Sequence, residues 1–448
     1  MKYINLDLVD EKILYDKLDN GLDVYIVRKK DFNSNYASFV SKFGGLDIEF
    51  IPIGEKDYVK MPSGIAHFLE HKLFEQENDP KVHDFYKQSG TYVNAMTGYK
   101  RTKYIISGPK NFKKNLEFLL DFVESPYFTD QNIEKEKGII IEEAKMCLDD
   151  KSRLFYQTVL KNLYNEVPYD KKIIGDIEDI KSMTKEDIYK CYNSFYHPSN
   201  MALFVVTNED ENDILELVKN NQSKKEFKKD FNIVRKIYNE DINVRKEYEE
   251  LLEDVKETRV GYSLKFRLKD FDVTRKELIY YLYIFLGMKL GNLSTFNLSL
   301  KEQGLIKNDI GYSVDNLING TDEFITVHIY SLADNINEYI KLLEDNLIDN
   351  NYNKEDFELY RKNMISDFNY DFNSVNGIMS FLVGEYSYED KIDEESIEKV
   401  KKLNYDRFIE VMKHFNLNNK SIVVMKNKKW YNNNNQMIIA SCLRSSVG

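Results

Sequence analysis

Residues 89–128 read SGTYVNAMTGYKRTKYIISGPKNFKKNLEFLLDFVESPYF, and residues 303–349 read QGLIKNDIGYSVDNLINGTDEFITVHIYSLADNINEYIKLLEDNLID. The two stretches share few residues but one plan: a glycine turn, two strand-like runs and an amphipathic helix, in that order. A plan of that length occurring twice points to a duplicated α+β unit. The chain has 448 residues, enough for two such units, each with its own core. The predicted fold class is α+β: two similar α/β-sandwich domains from an internal duplication, with antiparallel-rich sheets packed against helices. Between about Asn220 and Glu250 the chain turns charged and weakly apolar, which marks the boundary. The expected domains are 1–225 and 226–448.

Composition removes several alternatives. With 42% hydrophobic residues, 31% charged residues and only 7 prolines, the chain is neither disordered nor fibrous. A net charge of −12 argues against nucleic acid as a partner, because that affinity rests on clustered Lys and Arg neutralising phosphates. Cys147, Cys191 and Cys442 are odd in number and form no C-x-x-C pair, so neither a disulfide framework nor a cysteine zinc knuckle is expected, and a reducing compartment fits. The opening MKYINLDLVDEKILY carries acids where a signal peptide needs an apolar core, and no apolar run reaches membrane-spanning length. A cytoplasmic protein without a membrane segment is expected.

Local signals place the motifs. YDKLDNGLDVYIVRK reads as two strands around a D-N-G turn, and YASFVSKFGG as a third. PSGIAHFLEHKLFE follows, with Ser63 positioned to cap a helix whose Ile65, Phe68, Leu69 and Leu73 keep helical spacing. His67 and His71 are four residues apart on that helix and project from one face, so two imidazoles can reach one ion, zinc being the natural occupant. Glu70 faces the same side. The order H-x-x-E-H is the inverted zincin pattern. A catalytic zinc needs a third protein ligand, and IEKEKGIIIEEAKM offers several. Glu136 and Glu143, seven apart, share a helix face while Ile139 to Ile141 are expected to anchor the other sides. Spacing leaves Glu134, Glu142 and Glu143 all open as ligands. The second half has IFLGMK where the first has AHFLEH, so one copy carries the chemistry.

LDNGLDVYIV, GIAHFLEHKLF, SGTYVNAMTGYKRTKYII and EKEKGIIIEE, in this order, resemble the pitrilysin/insulysin family of zinc peptidases. The resemblance covers most of residues 15–210, and the second half more loosely resembles the family's inactive repeat. It implies one Zn2+ per chain on His67, His71 and Glu143, with Glu136 as the supporting carboxylate. Glu70 would take the proton from a zinc-activated water attacking a peptide carbonyl and return it to the leaving amine. The family also adds substrate as a strand at a sheet edge, which makes Asn94 and Ala95 substrate-binding candidates. An Arg and a Tyr seven residues apart help hold substrate or the oxyanion in the family's second repeat; here Lys301 stands where the Arg is expected, as a substrate-binding candidate, and Tyr312, eleven residues on, is the candidate donor to the oxyanion. The remaining His83, His197, His328 and His414 have no partner spacing. The expected function is a zinc-dependent endopeptidase acting on peptides or small unfolded polypeptides. The resemblance also implies pairing, as a homodimer or a heterodimer with a related chain. The alternative is a non-catalytic substrate-binding or scaffold subunit.

Overall fold

A computed structural model of the chain describes residues 1–77, 81–228, 231–318 and 322–428. The tail containing Cys442 lies outside the described residues. Two compact units emerge. One comprises Met1–Cys147, Lys171–Lys236 and Ile365–Glu398; the other comprises Leu148–Asp170, Ile237–Met364 and the chain from Lys399 on.

The strands of the first unit are β1 (Lys2–Leu6), β2 (Glu11–Lys17), β3 (Asp23–Arg28), β4 (Asn35–Ser41), β5 (Glu49–Ile51), β6 (Val59–Lys60), β7 (Tyr92–Thr97), β8 (Thr102–Gly108), β9 (Met201–Thr207) and β10 (Val234–Arg235). Seven of them form a sheet in the order β1-β2-β3-β9-β4-β8-β7, and β10-β5-β6 form a small one. The D-N-G turn joins β2 and β3 in antiparallel register, Lys17 opposite Asp23. The central strands are apolar on both sides, as DVYIVR and MALFVVT read. Val24, Ile26, Leu203 and Val205 enter one core, under the helices Ile65–Leu73 and Phe112–Val123. Tyr25, Val27, Phe204 and Val206 enter a second core on the opposite face, completed by Ile378, Met379, Phe381, Leu382 and Tyr386 of the helix Val375–Glu389.

The second unit contains β11 (Tyr248–Glu253), β12 (Arg259–Arg267), β13 (Gly311–Ile318), β14 (Glu323–Leu332) and β15 (Lys420–Asn427), ordered β11-β15-β12-β14-β13. This repeats β3-β9-β4-β8-β7 strand for strand. In each sheet the outermost two strands of the series, β3 with β9 and β11 with β15, run parallel, and the remaining pairs run antiparallel. The duplicated α+β fold expected from the repeated plan is therefore present. One face of the second sheet is covered by the helix Lys151–Leu163, which brings Phe155 and Val159 onto Val423 and Met425. That approach requires Gly261 in β12: a Cβ there would lie 2.9 Å from Val159 and 3.1 Å from Phe155.

The units interleave along the chain, so a single cut at 225/226 does not separate them. Each sheet has a second apolar face, and the helix that covers it comes from the opposite half of the sequence: Lys151–Leu163 joins the second unit and Val375–Glu389 joins the first.

Candidate metal centre

The histidine helix, Ile65–Leu73, buries Ile65, Phe68, Leu69 and Leu73 as its spacing requires. Its start differs from expectation. Ser63 does not cap it. The Ser63 hydroxyl donates instead to Asp179 and accepts from the Asp176 amide at 3.2 Å, and the helix begins at Gly64 with φ 86°. A Cβ at Gly64 would lie 2.4 Å from the Ile174 carbonyl oxygen, so only glycine permits this entry angle. At the other end Lys72 is fully buried, hydrogen-bonded to the Asn132 carbonyl oxygen at 3.3 Å and paired with Glu75. Asn132 lies in the first turn of the glutamate helix, Asp130–Leu148, so this contact joins the two helices that carry the donor groups.

The glutamate helix presents Glu136 and Glu143 to the histidines. His67 Nε2 lies 3.8 Å from one Glu143 oxygen and His71 Nε2 3.5 Å from the other. One ligand atom from each of the three residues falls within 4.8 Å of the others. These separations are too long for hydrogen bonds. They are close to the ~3.4 Å edge of a tetrahedron whose corners sit about 2.05 Å from a zinc ion. Glu136 is buried and accepts from His71 Nδ1 at 3.0 Å, which turns Nε2 toward Glu143. Glu134 and Glu142, left open by spacing, point elsewhere: they are exposed and pair with Lys137 and Lys145. Ile140 anchors the helix in the core, Ile141 packs partly against it, and Ile139 is 48% exposed, so the isoleucine run does not bury as a block. The reason is helical geometry, which gives three successive residues three different faces.

Glu70 is buried beside these groups and accepts a hydrogen bond from the Thr97 hydroxyl. Burial raises its pKa above the ordinary carboxylate value, and the Glu143 charge adds to this, against the opposing Thr97 hydrogen bond and His71. At His71 burial disfavours the proton, but the hydrogen bond and charge of Glu136, with Glu143 and Glu70, raise its pKa overall. Three carboxylates around two imidazoles make a pocket that favours a cation.

Thr97 was missed by sequence reasoning, although a period of two puts it on the same face of β7 as Val93 and Ala95, which pack into the core with the histidine helix. Asn94 lies on the other face with Tyr92 and Met96, exposed, its amide donating to the Tyr92 hydroxyl at 2.8 Å. Among the described residues β7 is an edge strand, bonded to β8 alone in its sheet. Lys301 and Tyr312 belong to the second unit, Lys301 paired with Asp309 and Tyr312 in β13.

Residues 50–177 match the insulinase model of peptidase family M16, and residues 182–364 match the M16 inactive domain. The chain belongs to the M16 family. Within M16 it is 45% identical over 227 residues to an uncharacterized zinc protease, YmfH, of Bacillus subtilis, an alignment covering 51% of this chain and 53% of that one. The chain spans about half the length of the curated relatives it matches. A putative M16-like peptidase from Alicyclobacillus acidocaldarius has the same fold, with a TM-score of 0.84 and 28% identity over 93% of this chain and 98% of that one. A protease from Helicobacter pylori shares the fold at TM-score 0.76 and 19% identity, covering 93% and 100%. Among the described residues no helix is long and apolar enough to cross a membrane.

Proposed function

We propose that this chain is a zinc-dependent endopeptidase in which His67, His71 and Glu143 hold one Zn2+ per chain. The observation that carries this reading is the convergence of those three ligand groups, one of them oriented by Glu136, beside the buried Glu70. When bound, Zn2+ acidifies a water molecule and polarises the substrate carbonyl. Glu70 takes the proton released as water attacks that carbonyl and passes it to the departing amine nitrogen. Burial favours this role, because raising the pKa makes the carboxylate a stronger proton acceptor. Glu136 keeps the Nδ1 proton of His71 engaged and so keeps Nε2 available to the ion. The edge strand β7 offers main-chain groups to an extended peptide, with Asn94 and Ala95 at its centre, which suits peptides and small unfolded polypeptides. We assign the protein to the cytoplasm and expect it to work as a pair, with a second copy or a related chain.

The test is zinc content and cleavage of a mixed peptide library by the purified chain, beside Glu70→Gln. The expected result is one zinc per chain in both proteins, with cleavage reduced at least ~100-fold in the variant. Undiminished cleavage by Glu70→Gln would remove Glu70 as the base. Absence of zinc from both would leave the alternative, a non-catalytic binding subunit.

A further inference from the structure

Glu70 is held by a hydroxyl at the last residue of β7, which among the described residues has a neighbouring strand on one side only, so something must fix that hydroxyl. Thr97 and Thr102 are opposite each other where β7 and β8 meet, with their hydroxyl oxygens 3.4 Å apart, and Thr102 donates to the Phe43 carbonyl at 2.9 Å. The turn between them is closed by the Gly98 amide on the Arg101 carbonyl at 2.8 Å. It is tied to the chain after β4 by Gly45 and Leu46, whose amides donate to Gly98 and Tyr99 at 3.0 and 2.9 Å. A side chain ties it as well. Arg101 is largely buried, and its Nη2 donates to the Asp390 carboxylate at 2.7 Å and to the Tyr386 carbonyl at 3.2 Å, with the guanidinium 5.0 Å from the centre of the Tyr386 ring.

Asp390 closes the helix Val375–Glu389 in a left-handed conformation, φ 55°, with its amide on the Tyr386 carbonyl. Its other oxygen takes Lys42 at 3.2 Å, directly after β4. One carboxylate therefore joins two cations, one beyond β4 and one in the turn that ends on Thr97.

We propose that Arg101 and Asp390 are positioning residues for Glu70: they fix the β7–β8 turn, the turn fixes the Thr97 hydroxyl, and that hydroxyl sets the carboxylate. The inference rests on the peptidase reading for what Glu70 does, and on the contacts above for how it is held. It also gives the second half of the sequence an indirect part in the centre, through the residue that closes the helix it contributes to the first unit. Arg is suited to the place because one guanidinium nitrogen, Nη2, donates to the carboxylate and the carbonyl while the planar group lies against the Tyr386 ring, a stacking contact that a lysine ammonium makes with less geometric control.

The experiment compares wild type with Arg101→Met, Arg101→Lys, Asp390→Asn, Thr97→Val and Thr97→Ser. It reads kcat and KM on a fluorogenic peptide, zinc content, and amide hydrogen exchange of residues 92–104 in the metal-free protein. We expect Arg101→Met and Asp390→Asn to lower kcat about tenfold with zinc content unchanged. They should also speed exchange in 97–102 while leaving β4 unchanged. Thr97→Ser should keep activity that Thr97→Val loses, and Arg101→Met added to Thr97→Val should cost less than about twofold more, because both act on one contact. Exchange in the turn that ignores Arg101→Met, or losses from Arg101→Met and Thr97→Val that simply multiply, would overturn the proposal. Should Arg101→Met not fold, Arg101→Lys and Asp390→Asn carry the same comparison. A zinc-loaded wild type that cleaves no peptide would overturn the peptidase reading and the role in positioning a base, while exchange would still decide whether Asp390 anchors the turn.

Discussion

Glu136 accepts the Nδ1 proton of His71 and leaves the opposite nitrogen facing Glu143. Replacing it by glutamine keeps the shape and weakens that hold, and Glu136→Gln is expected to lower zinc affinity about 10- to 100-fold, measured by competition with a chelator. Gly64 acts on the same site from below. Gly64→Ala places a methyl against the Ile174 carbonyl in a left-handed conformation. A loss of about 1–3 kcal/mol in urea unfolding is expected, together with weaker zinc binding. An alanine variant of wild-type stability would show that the helix can enter by another path. At this scale the two histidines and Glu70 were readable because one helix holds all three at fixed spacing. Glu143 was readable only as one of several acids until the resemblance singled it out, and its exposed rivals turn out to spend their charge on lysines one turn away. Thr97 carried no such mark, since a threonine at a strand end looks the same whether or not it serves a carboxylate.

Elements were legible where burial is two-sided. DVYIVR is legible as a strand from its apolar run after the D-N-G turn, and five of its six residues are buried. The Ser63 cap failed for a local reason: the serine hydroxyl found Asp179, and a glycine turn took over the helix start. His328, which has no partner spacing in the sequence, sits wholly buried in β14 between Ser263, whose hydroxyl is 3.0 Å from Nδ1, and Thr326, 3.2 Å from Nε2. Burial pushes its pKa below the ordinary value, with Asp315 opposing. His197 shifts the same way, chiefly by burial, against its bond to the Lys228 carbonyl. Unfolding lets both rings take up protons that the folded state resists. Their contribution to stability is therefore complete above the unfolded value, about pH 6.5, and declines as pH falls below it. His71 and Glu70, whose values are raised, act in the opposite direction, so the readable effect is a difference: His328→Asn is expected to lose less stability than wild type between pH 7.5 and 5.5, read as urea midpoints. An equal change in the variant would remove His328 as a source.

At the scale of the molecule the duplication was legible and the exchange of helices was not, because nothing in Val375–Glu389 says which sheet it will cover. The sequence pattern divides the chain once, whereas the structure crosses between units repeatedly. Residues 1–236 expressed alone would leave Tyr25, Val27, Phe204 and Val206 without Met379, Phe381, Leu382 and Tyr386. This fragment is expected to aggregate or bind a hydrophobic dye, and a peptide of residues 365–398 should restore a cooperative unfolding transition. A fragment that unfolds cooperatively without the peptide would contradict the covering role of that helix. The exchange also bears on descent. Two identical ancestral subunits that each lent a helix to the other's sheet would have formed a domain-swapped dimer. Fusing their genes would turn that intermolecular dependence into an intramolecular one. One copy could then shed its ligands and diverge, while its helix remained indispensable to the copy that kept them.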